Sequence, residues 1–301
     1  MRKLGLLAGQ MAAFTVICGL AWSVANGQEA DHLRVIVFGA HPDDCEIRCG
    51  GVGILWAERG DFVKFVSTTN GDIGHWGMAG GALANRRNAE VQAAAGVLGV
   101  TSEVLDIHDG ELMPTLENRK IFTRLIREWE ADIVIGHRPN DYHPDHRYTG
   151  VLMQDSAYMV AVPFFCPDVA PLNKNPIFLY SYDRFQKPNP FQADIVVSID
   201  RVIDKKVEAL ALLESQFVEG GATGSADTSP KTPEQREAKR EQVKEGFKRR
   251  AASVADDCRA KLIELYGEEA GKQVKYAEAF EICEYGRRPS KEEILKLFPI
   301  K

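Results

Sequence analysis

Two compact groups of imidazoles and carboxylates carry most of the chemistry this chain could do. The first is His41-Pro42-Asp43-Asp44, directly after the apolar stretch 33–40. The second is His143-Pro144-Asp145-His146, just past another apolar stretch, 131–136. A catalytic zinc usually takes three protein ligands and keeps a position for water. His41 can give a nitrogen, and one of the two aspartates can give an oxygen. Adjacent side chains point in different directions, so Asp43 and Asp44 should play different parts. One can ligate while the other takes a proton from a water that the ion has acidified. Pro42 stiffens the turn that aims these groups. In the second group, a spacing of three places His143 and His146 toward one centre. One of them can complete the metal shell, and the other can hydrogen-bond a carbonyl oxygen as it becomes an oxyanion. Asp145 can fix the tautomer of that second imidazole.

A single His-Pro-Asp means little, and an aspartate after a strand is often only a helix N-cap. Two such groups, each at the end of a buried strand, are harder to dismiss. A structural zinc usually closes its shell with Cys and His, whereas here carboxylates are left over. That surplus favours catalysis over a structural or regulatory ion.

The elements that must position these groups alternate in type. Strands are expected over 33–40, 62–69, 103–107 and 133–135, with helices over 47–58, 85–98 and 116–129 between and beside them. This βαβα order predicts an α/β fold with a mostly parallel sheet and helices on both faces. Ligands in such sheets gather beyond the carboxyl ends of the strands, where the strand order reverses. Later, strands are expected over 177–182 and 194–199 and a helix over 202–213. Residues 220–233, rich in Gly, Ser, Thr and Pro, read as a loop, and 234–250 as a solvated helix laced with ion pairs. No linker interrupts 28–301, so one domain with an insertion at about 220–250 is expected.

The N-terminus reads as a secretory signal. Arg2 and Lys3 precede an apolar stretch, 4–24, and Ala25-Asn26-Gly27 supplies a small-residue exit. Residues 1–27 should therefore send the rest of the chain out of the cytoplasm, to the periplasm or beyond. An uncleaved membrane anchor is the alternative. Five cysteines then remain, an odd number, with Cys258–Cys283 one conceivable disulfide and Cys45 and Cys49 expected as buried small hydrophobes on one helix face. Net charge is −6 and no basic stripe interleaved with aromatics is present, which argues against a nucleic-acid partner.

The same residues carry a resemblance. Ala40-His-Pro-Asp-Asp44 with Glu46 and Gly50-Gly51, then His143-Pro-Asp-His146, resemble the two signature motifs of the PIG-L/LmbE-like zinc-dependent N-deacetylases. Thr69-Asn-Gly-Asp72 with Gly74, Arg87-x-x-Glu90, Asp106 with Asp109-Gly110, Ser215-Gln216 and Ala277-Glu-Ala-Phe280 resemble its further landmarks. The resemblance implies a three-layer Rossmann-like fold with C-terminal additions. It implies that His41, Asp44 and His146 bind zinc or another divalent ion, and that Asp43 is the general base. It implies that His143, oriented by Asp145, stabilises the oxyanion or assists the leaving amine, and that Arg87 and Tyr142 lie near the substrate. The expected reaction is removal of an N-acetyl group from an N-acetylglucosamine-type sugar or its conjugate, a small-molecule or glycan partner. The rivals are a deacylase of another N-acyl conjugate and a metal-dependent sugar-binding protein without turnover. A nucleotide-binding protein of similar strand pattern is disfavoured, because no Gly-x-Gly-x-x-Gly turn follows the first strand.

Overall fold

The computed structural model describes Met1 and residues 32–300. Apart from Met1, the expected export segment lies outside the described residues. Seven strands form the sheet: β1 (Arg34–Gly39), β2 (Phe62–Ser67), β3 (Thr101–Val104), β4 (Ile133–Gly136), β5 (Ile177–Ser181), β6 (Ile195–Ser198) and β7 (Ala277–Gly286). The helices are α1 (Asp44–Arg59), α2 (Gly81–Leu98), α3 (Leu116–Glu128), α4 (Pro144–Met159), α5 (Ile203–Ala211), α6 (Glu214–Phe217), α7 (Pro233–Asp257), α8 (Arg259–Tyr266), α9 (Glu268–Gln273) and α10 (Lys291–Leu297).

The strand order is β3-β2-β1-β4-β5-β7-β6. The first five are parallel, and β7 runs antiparallel to both of its neighbours. From β1 the chain steps outward to β2 and β3, then returns across β1 to place β4 on the other side. The strand order thus reverses between β1 and β4, and this opens a crevice at their carboxyl ends. Both His-Asp groups sit there: His41 lies just past β1, and His143 seven residues past β4 at the head of α4.

Period-two alternation explains the layers. Val35 and Val37 of β1 with Ile133 and Ile135 of β4 face one core, shared with α1, α2 and α5. Ile36, Phe38 and Val134 face the other, shared with α3 and α4. These strands are buried on both faces, as a parallel sheet requires.

Several boundaries differ from expectation. β3 ends earlier, because its pairing with β2 runs only from Thr101 to Val104. The chain after it is free to form a loop that brings Asp109 to the crevice. Helix α1 begins at Asp44, three residues early. α7 runs on past Arg250 to Asp257. Cys258 and Cys283 are both free thiols. They belong to different core clusters, Cys283 lying against the Tyr180 hydroxyl, so no disulfide joins them. Cys45 and Cys49 are buried in one cluster on α1, as small hydrophobes.

Candidate active site

The turn after β1 is built by Asp44. Its Oδ2 accepts from the backbone N–H of Ala40 at 3.0 Å and of His41 at 2.9 Å. The turn closes so tightly that a Cβ on Gly39 would stand 2.7 Å from the Asp44 Cβ. Only glycine leaves room there. As a result the Asp44 carboxylate and the His41 ring face the same centre, with His41 Nδ1 3.4 Å from Asp44 Oδ2.

The second group arrives on the first turn of α4. His143 is its N-cap and Pro144 its first residue. His146 Nε2 then reaches 3.2 Å from His41 Nδ1 and 3.4 Å from Asp44 Oδ2. The three atoms therefore form a near-equilateral triangle. Donors bonded to a tetrahedral zinc at about 2.0–2.1 Å stand about 3.3 Å apart, so the set fits such an ion.

Each imidazole is backed by acid. His41 Nε2 lies 3.1 Å from Asp109 Oδ1 and 3.3 Å from Asp145 Oδ2. His146 Nδ1 lies 3.1 Å from Asp141 Oδ1. Carboxylates behind ligating histidines fix ring orientation and raise donor strength. Burial works against a charge on His41, but Asp109, Asp145 and Asp44 outweigh it and hold its pKa well above the usual histidine value. Burial likewise pushes Asp44 up, but His146, His137 and His41 hold it well below the carboxylate range. A site that holds a proton on His41 so firmly has the negative charge to exchange it for a divalent cation.

Asp145 does not orient His143 through its carboxylate, as was expected. Its oxygens accept from the N–H groups of Gly110 (2.7 Å) and Leu112 (3.3 Å) and face His41, while His143 Nδ1 is 4.0 Å away. The physical reason is the helix start: an N-cap side chain turns back on its own first turn. His143 Nδ1 accepts the backbone N–H of Asp145 at 3.2 Å. Burial and the neighbouring His41 and His146 lower its pKa. The neutral ring thus carries its proton on Nε2, as a donor.

Asp43 is buried, lines the crevice and has no hydrogen-bonding partner for its carboxylate among the described residues. Burial first, then the Asp44 charge, raise its pKa to about 6, against the opposing pull of Arg87. Arg87 comes from α2 and is itself buried. It donates to Gly74 O at 2.8 Å and to Gln216 Oε1. Gly71, at φ +68°, lets the loop close over it, since a Cβ there would stand 2.8 Å from Arg87 Cδ. Tyr142 is 71% exposed at the rim and sets its ring edge-on to those of His143 and His146.

The crevice holds about 580 Å³ and is lined by His41, Asp43, Asp44, Arg87, Tyr142, His143 and His146, among others. All the expected site residues line it except Asp145, which lies fully buried behind His41. Asp109 and Asp141 were not expected as parts of the site. Lone aspartates in loops carry no spacing signal, although Asp109-Gly110 was visible as a landmark. His137, directly after β4, stacks on His146 with ring centroids 4.2 Å apart. Burial and His146 depress its pKa to about 4, so it packs as a neutral ring. His75 and Trp76 bond Glu219 rather than lining the crevice. Glu278 lies behind α1, away from the crevice.

Comparison with known proteins fits this geometry. The profile of the PIG-L family, described as GlcNAc-PI de-N-acetylase, matches residues 36–157, from β1 to the end of α4. The diacetylchitobiose deacetylase of Thermococcus kodakarensis is 33% identical over 197 residues, 63% of this chain and 72% of that protein. The chain belongs to the PIG-L family. A second relative, the 4-oxalmesaconate hydratase of Pseudomonas putida, is 25% identical over 190 residues, 60% of this chain and 73% of that protein. Among solved structures, the N,N'-diacetylchitobiose deacetylase of Pyrococcus horikoshii aligns with a TM-score of 0.64 at 25% identity, covering 84% of each chain. The 4-carboxy-2-hydroxymuconate hydratase of Pseudomonas putida shares the fold, with a TM-score of 0.67 at 20% identity over 86% of this chain and 99% of its own.

Proposed function

We propose that this PIG-L protein is a metal-dependent N-deacetylase of an N-acetylglucosamine-type sugar or its conjugate, with zinc bound by His41, Asp44 and His146. One observation carries the reading. A three-donor triangle of tetrahedral size shares a crevice with a carboxylate, Asp43, that has no hydrogen-bonding partner among the described residues.

When bound, the ion would acidify a water and polarise the acyl carbonyl. Asp43 takes the proton of the attacking water, and Arg87 beside it favours its ionised form. The Nε2–H of His143 donates to the carbonyl oxygen as negative charge develops there. The amine is too basic to leave as an anion, so Asp43, now protonated, returns the proton to nitrogen. The C–N bond breaks, and acetate and a free amine result. Asp109, Asp141 and Asp145 hold the two imidazoles in place throughout.

The greater identity to a deacetylase favours this reading over water addition to an alkene. We also propose that residues 1–27 export the protein, on the strength of their charge and apolar pattern. The test is acetate release from a panel of N-acetylated amino sugars by the mature protein, with zinc, after chelation, and with Asp43→Asn. Release that needs both metal and Asp43 supports the reading. Metal bound without release from any sugar points to another acyl group, to a hydratase, or to a binding protein. No metal bound refutes the proposed ligand triad.

A further inference from the structure

A second chamber opens beside the crevice. It holds about 510 Å³ and shares Arg48, Tyr142 and Arg250 with the crevice wall. Arg184 and Arg249 also line it. Four guanidinium groups therefore surround one cavity in a protein whose net charge is −6. Its one lining carboxylate, Asp183, is already held by Arg138.

The basic residues of α7 show that this is not ordinary surface pairing. Arg236, Arg240, Lys244 and Lys248 each have a carboxylate within ion-pair distance. Arg249 and Arg250, next along the helix and at the chamber, have none among the described residues. Arg48 donates to Tyr182 O, its Nε is buried without a partner, and it too lacks a carboxylate. Arg184 alone is paired, to Asp257. Crowding by protein atoms, then repulsion from Arg48, lowers the pKa of Arg250, and Asp44 and Asp43 only partly offset this.

We propose that this chamber is an anion subsite, and that the substrate carries a phosphate or carboxylate on the sugar or its conjugate beside the N-acetyl group. This rests on the deacetylase reading and narrows its substrate class. Arginine forks match the oxygens of both anions, and unpaired ones beside the crevice are free to take them. Shared walls let one molecule place its acyl group at Asp43 and its charge at Arg249 and Arg250.

The test compares N-acetylglucosamine with N-acetylglucosamine 6-phosphate and N-acetylmuramic acid, the two anionic sources, by acetate release. One charge-assisted contact should raise kcat/KM for one anionic sugar by about tenfold or more over the neutral one at low salt. The preference should shrink at high salt and collapse in Arg249→Gln/Arg250→Gln. Which anionic sugar leads tells phosphate from carboxylate. A ratio at or below one, or a ratio the double variant leaves unchanged, overturns the subsite. If no sugar releases acetate, the deacetylase reading fails separately. Calorimetry with glucosamine 6-phosphate and muramic acid against glucosamine then decides. Tighter binding of either anion that the double variant abolishes keeps the subsite, and equal binding of all three rejects it.

Discussion

Glu278→Ala should destabilise the protein strongly, although Glu278 lies outside the crevice. Its side chain is buried on β7 and bonds Lys206 Nζ of α5 at 2.6 Å. Its two oxygens also accept from the N–H groups of Gly51 and Val52 in α1, each at 2.8 Å. Lys206 in turn donates to Ile47 O at 2.8 Å. In a regular helix Gly51 N–H bonds Ile47 O. Here both ends of that turn find partners in the ion pair, which ties α1 to β7 and α5. Removing Glu278 leaves a buried ammonium without its counter-charge, at a cost of about 3–5 kcal/mol. The freed amides can fall back on helix carbonyls, so they add at most about 1 kcal/mol. Against a total stability of about 5–15 kcal/mol, that is a large share. Adding Lys206→Met removes the orphaned charge and should recover about 2 kcal/mol or more. The assay is urea unfolding followed by tryptophan fluorescence, with Trp56 of α1 buried among the reporters. A loss below about 1 kcal/mol for Glu278→Ala, or simple additivity with Lys206→Met, would refute the reasoning.

Asp43→Asn should keep the metal and lower kcat by about 10²–10⁴-fold, which metal analysis and acetate assays read together. Asp141→Asn should weaken metal affinity by about 10–100-fold, because His146 Nδ1 loses its carboxylate; competition with a chelator measures it. Gly39→Ala should cost about 1–3 kcal/mol and weaken metal binding as well, since the new Cβ displaces Asp44; thermal unfolding and metal titration check both.

Most of what positions the site was legible because it depends on short-range pattern. The two motifs each follow an apolar run, and the parallel sheet required by βαβα order brings those run ends together at the reversal between β1 and β4. The missing parts depend on partners distant in sequence. β7 escaped notice because Glu278 sits among its apolar residues, and a charge in a strand normally marks a solvent face. Lys206, 72 positions away, and the Gly51 and Val52 amides, farther still along the chain, make it a buried position. Asp109 and Asp141 escaped for a similar reason. Their function lies in the contact each makes with an imidazole, and a lone loop aspartate does not announce its neighbour.

The same long-range logic separates the two arginines that end the charged run of α7 from the rest. As sequence, 234–250 reads as one solvated helix laced with its own ion pairs, but the folded chain pairs Arg236, Arg240, Lys244 and Lys248 across to Glu214 of α6 and to Glu208 and Asp204 of α5, with Glu237, Glu241 and Glu245 of α7 as further partners for the last three. Arg249 and Arg250 differ only in where the fold places them, against the wall that Arg48 and Arg184 complete. The basic residues Arg236, Arg240, Lys244 and Lys248 before them on α7 all find counter-charges, on α5, on α6 or on α7 itself. Arg48, Arg249 and Arg250, sharing a cavity without carboxylate partners among the described residues, repel one another, and an anion bound there would relieve that repulsion. In the deacetylase reading the His-Asp centre supplies the acyl chemistry and discrimination among substrates falls to the walls around it, of which this one gathers Arg48, Arg249 and Arg250 without carboxylate partners among the described residues.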